Sequence, residues 1–221
     1  MLELSPDQLV CLQEGRSSQR KGNVAVIAAG TGLGEALLVW DGRDHRAIAT
    51  EAGHAGFAPR GKEEVGLLRY LQSEFGAHVS CERVLSGAGI FRLYRYLRQT
   101  SGDPEPAWLS ERLTSGDSSA VVAEVGLAGE DEVCVQTVAR FAAVYGSEAG
   151  NHALRCLALG GVLIGGGIAP KLLPALRSPA FLEAFLDKGR FSELLAGMSI
   201  HVALDPRAPV FGAAVRARAL V

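Results

Sequence analysis

The pattern of apolar and polar positions is most distinctive in residues 23–40, where two apolar runs are separated by glycines. Residues 24–27 form a short apolar run that is typical of a strand, and a second such run covers residues 36–40. Three glycines separate the two runs: Gly30, Gly32 and Gly34. The pattern predicts a strand, a glycine turn and a second strand, and the other predicted elements are arranged around this hairpin.

Outside the hairpin, two other periodicities recur along the chain. Helical spacing of apolar residues predicts helices over residues 5–13, 63–75, 90–97, 131–159, 171–176, 179–186, 190–195 and 211–220. Shorter apolar runs predict strands at residues 46–50, 162–164 and 200–204. Residues 100–130 are the least periodic and are assigned to loops and short helices, with one short helix over residues 120–125. Strands alternate with helices, so the predicted class is α/β.

Composition and charge narrow the classes of partner. The chain has 221 residues and a formal net charge of −2, so no basic field indicates nucleic acid or an anionic membrane. The first residues lack a signal peptide pattern, and the longest apolar stretch, residues 156–170, is glycine-broken and shorter than the roughly 18 residues of a membrane span. These features favour a cytoplasmic protein with a small neutral or anionic ligand. The four scattered cysteines predict reduced thiols.

The glycine turn itself has the chemistry of a phosphate site. Its backbone N–H groups can point into one concavity with no side chain in the way, and Thr31 adds a hydroxyl donor. A Rossmann fingerprint would need a helix after the turn, and a P-loop would need a Lys followed by Ser or Thr; neither is present. From this motif alone, a glycine-rich hairpin that binds nothing remains an equal alternative.

A second glycine segment follows the strand predicted at residues 162–164. Three consecutive glycines lie between this strand and the next helix: Gly165, Gly166 and Gly167. Bare backbone of this kind lets a nucleotide sugar and base lie close to the chain. The alternative reading is a tight strand-to-helix connection without a ligand.

Taken in order, several motifs resemble the bacterial glucokinase family. They are GTGLG at residues 30–34, EAGH at 51–54, CERVLSGAG at 81–89, GGVLIGGGIAP at 160–170, FLDKGRF at 185–191 and P-x-x-G-A-A at 209–214. The resemblance runs over nearly the whole chain, and its specificity lies in the ordered set. It implies a ribonuclease H-like (actin-like ATPase) fold, with a mixed sheet flanked by helices.

The resemblance also implies roles for individual residues. It assigns Gly30, Thr31, Gly32 and Gly34 to the phosphates of ATP, bound as MgATP, and Gly165, Gly166 and Gly167 to the adenosine. It assigns Glu51, His54 and Glu82 to glucose, and the chemistry fits, because carboxylates accept paired hydrogen bonds from vicinal hydroxyls and imidazole can donate or accept. A metal at Glu51 and His54 is disfavoured, because glycines place this pair in a loop. Surface locations for these side chains remain the plain alternative.

One departure from the family pattern concerns catalysis. The family carries an Asp-x-Gly-Gly-Thr phosphate motif and an Asn-Asp pair whose aspartate is the base, and this chain has neither. The resemblance thus implies phosphorylation of glucose to glucose 6-phosphate, with no catalytic base in this chain and little activity alone. The resemblance also divides the chain into an N-terminal remnant and loop (1–22), a large domain (23–205) and a terminal helix (206–221) that packs on an absent small domain. A homodimer is a possible assembly.

Two rival functions stay open at this point. The first is a non-catalytic module that binds sugar or nucleotide, either a remnant or a regulatory homologue. The second is the related repressor and kinase group with a cysteine-rich zinc motif, which is disfavoured because the chain has no C-x-C or C-x-x-C.

Overall fold

A mixed sheet forms the centre of the molecule. The computed structural model describes residues 5–16, 21–205 and 207–218. Within them the strands are β1 (Leu9–Gln13), β2 (Val24–Ala29), β3 (Leu33–Trp40), β4 (His45–Ala49), β5 (Gly161–Gly165) and β6 (Ile200–Ala203). Their order is β1-β6-β5-β2-β3-β4. Strands β2, β5 and β6 are parallel, whereas β1, β3 and β4 are antiparallel to their neighbours. The α/β prediction is confirmed.

Helices cover the sheet and fill the long connection between β4 and β5. They are α1 (Gly61–Phe75), α2 (Gly87–Ser101), α3 (Ala107–Ser115), α4 (Ser118–Ala128), α5 (Glu132–Cys156), α6 (Ile168–Lys171), α7 (Leu173–Leu176), α8 (Pro179–Leu186), α9 (Ser192–Ala196) and α10 (Ala208–Arg218). Short 3₁₀ helices occur at Pro6–Gln8, Ala52–His54, Cys81–Arg83 and Gly189–Phe191.

The predicted hairpin is confirmed. Strands β2 and β3 pair from Val24 and Leu38 down to Ala29 and Leu33, which leaves residues 30–32 as the turn. On its other side β2 pairs in parallel with β5, and the two strands end together at the pair Ala28 and Gly165. Because ligands of open α/β sheets bind beyond the carboxyl ends of the strands, this shared end of β2 and β5 is where a site is expected.

Helix α5 anchors the core behind the hairpin. Phe141 and Tyr145 on this helix are fully buried. At Gly146 the backbone of α8 approaches so closely that a Cβ atom would overlap the carbonyl of Phe181. A glycine at this position therefore allows α5 and α8 to pack in direct backbone contact.

The predicted helix over residues 5–13 is wrong. Only Pro6–Gln8 forms a single 3₁₀ turn, and the next five residues are strand β1. They pair antiparallel with β6, from Leu9 opposite Ala203 to Gln13 opposite Ile200. Pairing with the distant strand β6 outweighs the local helix signal of Ser5 and Pro6.

Residues 100–130 are more helical than predicted. Two full helices, α3 and α4, occupy most of this region, and the short helix expected at residues 120–125 is the middle of α4. Asp117 caps α4 by accepting hydrogen bonds from the amides of Ser119 and Ala120 at 2.9 and 3.3 Å. Val122 and Val125 are fully buried, so tertiary packing supplies what the sequence periodicity did not show.

The division of the chain into residues 1–22, 23–205 and 206–221 stays a prediction. In the described part of the chain, no helix has the length and apolar character that crossing a membrane requires.

Candidate active site

The glycine turn between β2 and β3 lies against the start of helix α2. The Gly30 amide donates to the carbonyl of Gly32 at 2.8 Å, and the Gly30 carbonyl accepts from the amide of Gly87 at 2.9 Å. Gly87 is the first residue of α2, and Ser86 caps this helix by accepting from the amide of Gly89 at 3.1 Å. The positive end of a four-turn helix therefore adjoins the turn, and this polarity favours an anion there.

Glu82 connects the turn to the predicted sugar residues. One carboxylate oxygen, Oε2, accepts a hydrogen bond from the Leu33 amide at 2.9 Å. The other, Oε1, is 3.7 Å from Nε2 of His54. A Cβ atom on Gly32 would lie 2.5 Å from Oε2, so the carboxylate occupies the space in front of this glycine. The structure thus brings Glu82 and His54 together beside the turn.

The loop that carries Glu51 and His54 is fastened to β3. At Gly53 the backbone lies so close to the carbonyl of Leu33 that any side chain would overlap it. The Thr50 hydroxyl donates to the Glu35 carbonyl at 2.8 Å and accepts from the Ala52 amide at 3.1 Å. These contacts fix the position of the loop relative to the first residues of β3.

Glu51 begins the same loop and precedes the 3₁₀ turn Ala52–His54. Its carbonyl accepts from the His54 amide at 3.0 Å, and the residue as a whole is exposed to solvent. The imidazole of His54 is also accessible, with 61% of its side-chain surface exposed, against 29% for Glu82. All three predicted sugar residues therefore lie on two short segments beside one turn, and each can be reached from solvent.

The second glycine segment lies next to the first. Gly166 has φ of +82°, a conformation that favours glycine, and a Cβ atom there would overlap the carbonyl of Ala29 at the end of β2. A Cβ atom on Gly30 would lie 4.0 Å from the amide nitrogen of Gly167. Both glycine segments therefore share the carboxyl end of the central strands.

Tyr145 on α5 holds the ends of β2 and β5 together through its hydroxyl group, a role that no sequence signal indicated. Its hydroxyl accepts from the Ala29 amide at 3.2 Å and lies 3.4 Å from the Ile27 carbonyl and 3.5 Å from the Gly165 carbonyl. Burial raises the pKa of this phenol well above its usual value, so it stays a neutral hydrogen-bonding group. The helical spacing of Phe141 and Tyr145 indicates only that both lie on the apolar face of α5.

Metal ions have no side-chain site of their own in the described residues. No group of three or more His, Cys, Asp or Glu side chains is arranged to hold one.

Comparison with solved structures defines the class of protein. A glucokinase from an Antarctic psychrotroph is similar over 96% of this chain and 62% of its own, with a TM-score of 0.82 and 33% sequence identity. A glucokinase from Balamuthia mandrillaris shares the fold, with a TM-score of 0.76 at 20% identity. The fold is therefore the ribonuclease H-like scaffold of the actin-like ATPases, as the resemblance implied.

Comparison of sequences identifies the family. A model of the glucokinase family matches residues 1–220. The glucokinase of Trichormus variabilis is 38% identical over 229 aligned positions, covering 98% of this chain and 67% of that protein. The glucokinase of Synechocystis sp. is 36% identical, covering 97% of this chain and 64% of its own length. The chain belongs to the glucokinase family, and it spans about two thirds of the length of these relatives.

Proposed function

We propose that this chain binds glucose and MgATP and serves the ATP-dependent phosphorylation of glucose to glucose 6-phosphate. The observation that carries the proposal is the double contact of Glu82. Its carboxylate accepts from the Leu33 amide at the end of the glycine turn and also faces His54 at 3.7 Å. A phosphate-binding turn and a pair of sugar-binding side chains therefore lie side by side, as phosphoryl transfer requires.

Glucose would be held by hydrogen bonds to Glu51, His54 and Glu82. A carboxylate can accept from two neighbouring hydroxyls, and the imidazole can donate to or accept from a third. Glu82 is the best fixed of the three, because its second oxygen is held by the Leu33 amide. The role of these side chains is to orient the sugar, since none of them is placed as the proton acceptor.

ATP would lie along the shared end of β2 and β5. The phosphates would lie against the turn formed by Gly30, Thr31, Gly32 and Gly34, in which the Gly30 amide is already bonded to the Gly32 carbonyl. Gly165, Gly166 and Gly167 leave room for the adenosine. The N-terminus of α2 adds a favourable potential for negative charge. When bound, Mg²⁺ neutralises charge on the phosphate oxygens.

A base for the sugar hydroxyl is not among the family motifs found in these 221 residues. General base catalysis contributes about 10²–10⁴-fold to a rate, so we expect the chain by itself to bind its ligands far better than it turns them over. This same absence favours a second candidate, a non-catalytic module that binds sugar and nucleotide. A coupled assay of the 221-residue chain separates the two candidates.

Helix α10 and the assembly state belong to the same proposal. Val210 on this helix is 68% exposed. We infer that α10 packs on a further domain of the kind that makes the relatives longer, and that the chain alone self-associates through this helix. A monomer in light scattering at high concentration would contradict this part of the proposal.

Calorimetric titration of glucose tests the sugar site. We expect one glucose to bind per wild-type chain and Glu82→Gln to weaken binding by about tenfold or more, because a charged acceptor is worth about 1.5–3 kcal/mol. Glu124→Gln is the matched control, since Glu124 is 72% exposed on α4. Equal affinity in the wild type and Glu82→Gln, or no binding by the wild type, would contradict the proposal.

A further inference from the structure

One carboxyl group is buried directly behind the candidate active site. Glu35 lies on β3 two residues beyond Leu33, and its side chain is completely inaccessible to solvent. Among the described residues, neither of its carboxylate oxygens has a hydrogen-bond donor. A buried charge without donors is strongly unfavourable, so this group calls for a separate explanation.

The side chain of Glu35 faces His152 on α5. Nδ1 of His152 lies 3.5 Å from Oε2 of Glu35. Its Nε2 lies 2.9 Å from the carbonyl of Ala36. A carbonyl can only accept, so Nε2 carries a hydrogen. Nδ1 then faces the Glu35 carboxyl group and the Sγ atom of Cys156, which is 3.7 Å away.

A single proton between the two groups satisfies both. It can sit on the carboxyl, which then donates to Nδ1, or on Nδ1, which then donates to the carboxylate. Without this proton, a buried carboxylate faces the lone pair of an imidazole. The guanidinium of Arg155 is 3.8 Å from Oε2, but it is engaged by Glu148 at 2.6 Å and does not replace the proton.

In the part of the chain that the structure describes, the titratable and charged groups that interact with Glu35 lie on α5 and on one 3₁₀ turn. Those on α5 are Tyr145, Glu148, His152, Arg155 and Cys156, and the one on the 3₁₀ turn Cys81–Arg83 is Cys81. Burial raises the pKa of the Glu35 carboxyl to about 7; the nearby Glu148 adds to this and Arg155 opposes it. The carboxyl group therefore remains protonated well above the pH at which an exposed glutamate ionises.

The same part of β3 holds every sugar-binding segment in place. The Leu33 amide holds Glu82, and the Leu33 carbonyl is in contact with Gly53. The Glu35 carbonyl accepts from Thr50, which in turn holds the Ala52 amide. A shift of β3 at Glu35 would therefore move both segments that carry the proposed glucose residues.

We propose that Glu35 is a positioning residue whose proton, shared with His152, holds β3 against α5 and keeps Glu82 and His54 in register for glucose. Loss of the proton as pH rises leaves a buried carboxylate without a hydrogen-bond donor between β3 and α5, which loosens the strand and weakens sugar binding. The proposal rests on the proposed function for its consequence, but the loosening of β3 can be observed without any ligand.

Hydrogen exchange of the free chain tests the structural half. In the wild type we expect the protection factors of the Leu33 and Ala52 amides to fall by about threefold or more between about pH 6 and about pH 9, after correction for intrinsic exchange. Glu35→Gln supplies a permanent N–H for Nδ1, so its protection should stay constant; Glu124→Gln should behave as the wild type. A flat wild-type profile overturns the proposal, as does a falling profile in Glu35→Gln. If Glu35→Gln does not fold, the wild-type profile decides alone.

Glucose titration over the same pH range tests the functional half. The wild-type dissociation constant should rise about threefold or more towards high pH, while that of Glu35→Gln stays constant. Glu35→Gln leaves every other titratable group of the chain in place, so pH dependence that persists in the variant overturns the inference. Failure of the wild type to bind glucose at any pH refutes the proposed function and, with it, the effect on sugar binding; the exchange profiles still decide the role of the proton.

Discussion

Replacing Glu35 with Gln removes a buried carboxyl group whose ionisation opposes folding. The group has a pKa of about 7 in the folded chain, against 4.5 for an ordinary glutamate. Between these two values the folded state holds a proton that the unfolded state has released. Stability from this group is therefore complete below about pH 4.5 and is lost as pH rises towards 7 and above.

The size of this effect follows from the two pKa values. Each pH unit between them costs about 1.4 kcal/mol, so Glu35 alone should lower the free energy of unfolding by about 3 kcal/mol between about pH 4 and about pH 8. The amide introduced by Glu35→Gln cannot ionise, so the variant lacks this slope. Groups that titrate in both proteins, such as Asp41 with its lowered pKa, cancel when the two profiles are subtracted.

Urea unfolding at a series of pH values measures this difference. The free energy of unfolding of the wild type minus that of Glu35→Gln should decline steadily from acid to alkaline pH. A difference that stays constant within about 0.5 kcal/mol would show that the pKa of Glu35 is the same in the folded and the unfolded chain. That result would refute both the argument from burial and the shared proton.

Further predictions concern the two glycine segments and turnover. Gly32→Ala should weaken glucose binding about tenfold with little change in stability, because its Cβ would lie 2.5 Å from the flexible carboxylate of Glu82. Gly34→Ala should bind glucose normally, because the atom nearest to its Cβ is 3.9 Å away. Gly166→Ala should cost about 2 kcal/mol or more in urea unfolding and abolish ATP-analogue binding, because φ is +82° and backbone atoms block the Cβ. Gly167→Ala, with open space around its Cβ, should leave the stability unchanged. In a coupled assay, the 221-residue chain should turn over glucose at least about 10²-fold more slowly than a longer family member. Comparable rates would contradict the inference that this chain carries no catalytic base.

Elements with strong local patterns could be predicted from the sequence. The β2–β3 hairpin follows from two apolar runs around three glycines, and α5 follows from a long helical period with small residues for close packing. The ordered set of motifs identifies the family, which no single motif could do alone. Both the local apolar patterns and the order of the motifs can be read directly along the chain.

Features that depend on distant partners could not be predicted. Strand β1 exists because it pairs with β6, which a local helix signal at Ser5 and Pro6 could not reveal. The hydrogen bond from Leu33 to Glu82 joins residues 49 positions apart, and the contact of Glu35 with His152 joins two different elements. Glu148, His152 and Arg155 recur at helical spacing on α5, and this pattern is the sequence signal for the buried polar residues around Glu35.

A crystal structure of the chain with glucose and a non-hydrolysable ATP analogue tests the central claim most directly. The account predicts sugar hydroxyls within hydrogen-bonding distance of Glu82 and His54, and phosphates against the amides of residues 30–34. A sugar bound away from Glu82, or phosphates away from the glycine turn, would contradict it.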